Sequence, residues 1–87
     1  MKIWKFSFET QNYIQIVMPA GAQSLTVQTQ GNTPCLWALV DENNPPVVRI
    51  FRIYGTGHAI PGEVGAYVGT YQLDGGALVF HMFEIMP

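Results

Sequence analysis

Residues 4 to 9 read Trp-Lys-Phe-Ser-Phe-Glu, a strict alternation of aromatic and polar side chains. In an extended chain successive side chains point to opposite faces, so Trp4, Phe6 and Phe8 share one face and Lys5, Ser7 and Glu9 the other. A helix would scatter the same residues around its axis. The two-residue period recurs along the chain, and no long segment carries the period of 3.6 that an amphipathic helix needs. Nine glycines and six prolines divide the 87 residues into short pieces, the punctuation of strands and turns.

The pattern predicts seven strands. The first runs from about Lys2 to Glu9. The second, Tyr13 to Met18, puts Ile14, Ile16 and Met18 on one face. The third, Ser24 to Gln30, turns Leu25 and Val27 inward. Gln30-Gly31-Asn32 marks a hairpin into the fourth, Pro34 to Val40, which is apolar on both faces and so reads as central. The fifth, Val47 to Gly55, is interrupted by Arg49 and Arg52, which lie three apart and project to opposite sides. The sixth, Ala66 to Leu73, is expected to carry Tyr67 and Tyr71 on one face with Gly69 between them. Asp74-Gly75-Gly76 turns into the seventh, Ala77 to Ile85. Together they make one all-β domain over residues 1–87, a small antiparallel β-sandwich or open barrel. Strands four, five and seven carry more apolar residues than one buried face needs. The surplus is expected at the surface as a self-association patch, hence a homo-oligomer.

Charge is scarce: four Lys/Arg and six Asp/Glu give a net charge of −2. Proteins that grip duplex nucleic acid present a basic stripe, because phosphate contacts dominate affinity. Lys2, Lys5, Arg49 and Arg52 form no such run, which argues against duplex nucleic acid and leaves room for a small anionic, nucleotide-like ligand. Cys35 is the only cysteine, so no intramolecular disulfide forms. It sits in the apolar run Cys35 to Val40 and reads as a small buried hydrophobe. No stretch approaches the roughly 18 apolar residues of a membrane helix. Lys5, Ser7 and Glu9 interrupt any signal-peptide core at the start. The expectation is a cytoplasmic protein with no membrane partner.

The segment Tyr54-Gly55-Thr56-Gly57-His58, with Arg52 just before it, is the candidate ligand site. Two glycines let backbone N–H groups turn outward as an anion nest. Thr56 adds a hydroxyl, His58 a titratable donor, Tyr54 a flat ring and Arg52 a cation. The lysine and helix of a P-loop are missing. His58, His81 and Cys35 lack metal-ligand spacing, so no metal and no cofactor is expected. Asp41 and Glu42 lie in a polar loop, and Glu63, Asp74 and Glu84 are scattered, with no nucleophile arrangement beside them. No catalytic residue is assigned, and the chain reads as a binding protein rather than an enzyme. His81 is expected as a half-buried histidine bonded to backbone.

Five stretches carry a resemblance: Met1 to Lys5, Met18 to Ala22, Pro34 to Asp41, Phe51 to His58, and Gly75 to His81. Through them the chain resembles a family of short, uncharacterised proteins encoded by phages and prophages. That resemblance implies an accessory gene product acting in the host bacterial cytoplasm during phage growth, and it suggests interference with host defence. The leading expectation is a non-enzymatic sponge that sequesters a nucleotide-derived signal at a homo-oligomer interface. The alternative is a structural or docking protein, either a virion component or an inhibitor of one host protein. A third reading, a hydrolase using His58 or His81, predicts that a bound nucleotide is consumed.

Overall fold

The computed structural model describes residues 1–85. They form β1 (Lys2–Ser7), β2 (Tyr13–Pro19), β3 (Gln23–Gln30), β4 (Thr33–Val40), β5 (Pro46–Gly55), β6 (Ala66–Leu73) and β7 (Leu78–Glu84), with a 3-10 turn at Asp74–Gly76. All pairings are antiparallel. One sheet has the order β1-β4-β3 and the other β2-β5-β7-β6. The architecture is therefore a two-sheet sandwich. The chain crosses between sheets after β1, β2 and β4, so sequence neighbours pair only in the β3–β4 and β6–β7 hairpins.

Alternation decides which side chains enter the core. Leu36, Ala38 and Val40 of β4 face Phe51 and Ile53 of β5 and Met82 of β7, all buried. β4 is central in its sheet, as its two-sided apolar pattern predicts. Trp4, Phe6 and Phe8 pack half-buried against the same core from the edge. Cys35 is buried and free.

Two expectations about strand faces need correction. Leu25 does not turn inward with Val27: the β3–β4 register shifts between Ser24 and Thr26, and Leu25 is 43% exposed while Val27 is buried. Tyr67 and Tyr71 do not share a face. The β6–β7 register slips between Tyr67 and Gly69, a bulge that places an extra residue on β6. Tyr71 is 2% exposed, inside, and Tyr67 is 61% exposed, outside. A single inserted residue inverts the parity of everything beyond it.

β5 and β6 run in the same direction with β7 between them. Residues 56–65 must therefore travel from the end of β5 back to the start of β6, and they do so over the outer face of the four-stranded sheet. No helix among the described residues is long and apolar enough to cross a membrane.

Candidate functional site

Phe51 and Ile53 point into the core, so Arg52 and Tyr54 point to the outer face of β5. Tyr13 of β2 stands directly opposite Arg52. The guanidinium carbon lies 4.5 Å from the centre of the Tyr13 ring and 4.6 Å from that of Tyr54. The cation is held by ring faces, which attract it electrostatically and fix its plane. Its Nη1 is buried with no hydrogen-bond partner among the described residues. Such an orphan donor is uncommon in folded proteins, because leaving one unpaired costs about 1–3 kcal/mol.

The loop supplies the opposite wall. Pro61, Glu63 and Val64 close a cavity of about 300 Å³ over Tyr13, Arg52 and Tyr54. This roof explains why Tyr54, on an outer face, is only 7% exposed. Beyond Tyr54 the aromatic row continues across the sheet. Phe83 of β7 meets Tyr54 edge-on at 6.0 Å and Tyr67 of β6 at 5.4 Å.

Arg49 makes the contrast. It lies on the inner face, where Nε and Nη2 grip both oxygens of Glu84 and Nη1 donates to the Ala22 carbonyl at 2.7 Å. The bond to Glu84 raises the Arg49 pKa, and burial works against it. Arg49 is thus fully committed to structure, while no carboxylate forms an ion pair with Arg52 among the described residues.

The predicted site residues divide into two groups. Arg52 and Tyr54 join Tyr13 in the cavity just described. In the glycine turn two of the N–H groups have backbone partners: Thr56 N–H donates to the Val79 carbonyl at 3.2 Å and His58 N–H to the Gly55 carbonyl at 3.1 Å. Gly57 takes φ +85 to make that turn, a conformation glycine adopts freely. The His58 ring lies where a side chain on Gly55 would be, 2.8 Å from an added Cβ. It walls a neighbouring cavity, also about 300 Å³, with Thr10, Asn12 and Phe80, which Arg52 and Tyr54 line as well.

Thr56 Oγ1 hydrogen-bonds His81 Nε2 at 2.7 Å, and Thr70 Oγ1 bonds the other ring nitrogen at 2.9 Å. His81 is therefore bonded to hydroxyls, where a backbone partner was expected. Tyr67 OH completes the chain at 2.6 Å from Thr70. Sequence reasoning missed Tyr13, Pro61, Glu63 and Val64. Tyr13 was legible only as the first outward residue of β2; its partner is set by register. Among the described residues no three His, Cys, Asp or Glu side chains come together in a group suited to a metal ion.

Fold and site define a class: a two-sheet antiparallel sandwich with an arginine held between tyrosines under a surface loop. Over residues 1–86 the chain matches the family described as Domain of unknown function (DUF7352), and it belongs to that family. No curated protein and no solved structure matches it.

Proposed function

We propose that this protein is a non-catalytic binding protein for a small nucleotide-derived anion, taken up between the outer face of β5 and the 56–65 loop. The observation that carries the reading is Arg52: a cation stacked on two rings, with a buried unpaired donor, at the wall of a cavity. Stacking occupies the faces of a guanidinium and leaves its N–H groups at the rim; Nη1 is buried, and the N–H groups of Nε and Nη2, which have no hydrogen-bond partner among the described residues, are the ones that can meet phosphate oxygens. Glu63 on the opposite wall is placed to accept from donor groups such as ribose hydroxyls. Tyr13, 60% exposed, offers area on which a base can stack. A volume of about 300 Å³ is at the small end for ligand pockets, so the ligand is one nucleotide unit or the end of a larger one.

The biological setting rests on the phage-like sequence resemblance: an accessory protein in the bacterial cytoplasm, acting as an anti-defence sponge and self-associating. Sequestration needs tight binding and no turnover. Calorimetric titration with cyclic mononucleotides, cyclic dinucleotides and cyclic ADP-ribose tests it. The expected result is binding of at least one, recovered unchanged after denaturation. Failure of the whole panel, or conversion of the ligand, removes the proposal. A second reading, docking onto one host protein, is favoured by the exposed strip Val17, Val48 and Ile50 on the same sheet and predicts a stoichiometric protein partner.

A further inference from the structure

Every open sheet has two edge strands, whose unpaired N–H and C=O groups invite further strands unless something blocks them. Here the edges are β1 and β3 in one sheet and β2 and β6 in the other. Three of the four are blunted. β1 carries Lys2 and Lys5. β3 is bulged between Ser24 and Thr26, and β6 between Tyr67 and Gly69. β2 has neither device. Tyr13–Pro19 contains no charged residue, and it holds unbroken register with β5 along its whole length.

The direction of its free groups follows from hydrogen bonds just beyond its ends. Ile53 N–H donates to the Asn12 carbonyl at 3.0 Å, and Ala20 N–H to the Pro45 carbonyl at 2.8 Å. Both fall in the β2–β5 register, so the even-numbered residues of β2 bond to β5. Tyr13, Gln15 and Val17 then turn N–H and C=O to the open edge. A groove of about 890 Å³ borders the Tyr13–Gln15 half of this edge, with Ser7–Glu9 on one side and Ile50 and Ile85 on the other, and Glu9 is the one charged residue in its lining among the described residues.

We infer that β2 is the self-association edge of this protein, and that its occupant is β2 of a second copy, antiparallel about a two-fold axis at Gln15. This deepens the self-association in the proposed function and does not need the ligand. In that register each of Tyr13, Gln15 and Val17 gives and accepts one hydrogen bond. Pro19, which has no N–H, falls outside the paired stretch. Tyr13 meets Val17 of the second copy on the outer face, an aromatic against a β-branched side chain. Ile14 meets Ile16 of the second copy on the inner face, extending the core across the axis. Self-pairing of β1 would bring lysines together; self-pairing of β2 meets no like charge. The exposed strip Val17, Val48 and Ile50 then becomes continuous across both sheets.

Light scattering over a concentration series, with hydrogen exchange at each concentration, tests this. The wild-type chain is expected to be a dimer. Val17→Lys puts a charge at an exposed outward position, and Gln15→Pro removes an outward N–H that β5 does not use. Each is expected to weaken dimerisation at least tenfold while preserving the circular dichroism spectrum. The amides of Tyr13, Gln15 and Val17 should slow as concentration rises, whereas those of Ile14 and Ile16 stay slow throughout. A wild-type monomer, or a dimer that both variants leave intact, overturns the inference. Gln15 does not line the Arg52 cavity and pairs only with Gln15 of the second copy, so nucleotide titration of Gln15→Pro reports separately on the ligand, whereas Val17→Lys also touches Tyr13 of the second copy.

Discussion

Gly69 of β6 lies against Val27 of β3, so closely that a Cβ on Gly69 would sit 2.8 Å from the Val27 Cγ1 and 3.3 Å from its backbone nitrogen. This contact joins the two sheets along one side of the sandwich. Gly69 is absent from the positive-φ positions, so the demand for glycine is spatial. Gly69→Ala must push the β3 backbone away. Overpacking of this kind costs about 1–3 kcal/mol, and the expected loss is readable as a lower urea midpoint with an unchanged slope.

Individual strands and their faces were legible because each obeys a local rule. Trp4, Phe6 and Phe8 could only share a face, and Arg49 and Arg52 could only oppose one another. Tyr67 and Tyr71 were misplaced because a bulge is a relation between two strands, and it is written in neither alone. The same limit hid the site. Arg52 and Tyr54 were visible as an odd cation and ring on one strand. Tyr13 becomes their neighbour through β2–β5 register, and Pro61, Glu63 and Val64 through the path of a loop whose direction depends on strand order. Glycines signal the Thr56–His58 turn, but the partners of the Thr56 and His58 N–H groups, the Val79 and Gly55 carbonyls, depend on how the turn sits against β7.

The Arg49–Glu84 pair predicts a non-additive stability pattern. Both side chains are largely shielded, at 20% and 14% exposure. Removing one leaves a poorly solvated charge beside the core. Glu84→Ala should therefore destabilise by about 3 kcal/mol. Replacing both, as Arg49→Met with Glu84→Leu, should cost much less than the sum of the single changes, since no charge is stranded. A thermal double-mutant cycle checks it, and additive costs would contradict the argument.

Tyr71 predicts an alkaline limit. It is buried and hydrogen-bonded to Thr10 Oγ1 at 2.8 Å. Burial raises its pKa above the ordinary 10.0, with the Thr10 bond partly opposing. A raised folded value means that the fold favours the protonated phenol. That contribution is fully present below about pH 10 and is lost as pH climbs through the folded value. In a phenolate absorbance titration Tyr71 should ionise late, together with unfolding. Tyr71→Phe should abolish that late step.

Arg52→Ala separates function from stability. The side chain forms no ion pair among the described residues and leaves one buried donor unpaired, so its loss removes an unfavourable group along with two ring contacts. Stability should change by less than about 1 kcal/mol. Binding of an anionic nucleotide should fall far more, because charge-assisted hydrogen bonds are worth about 1.5–3 kcal/mol, or roughly 10- to 150-fold in Kd. Gly55→Ala provides the companion measurement. The added Cβ meets only the His58 ring, which can swing away on its own side-chain torsions, so the fold should persist with His58 displaced. If Gly55→Ala leaves nucleotide affinity intact while Arg52→Ala abolishes it, the ligand sits against Tyr13 and Glu63. If both abolish it, the ligand extends into the neighbouring cavity that His58 walls.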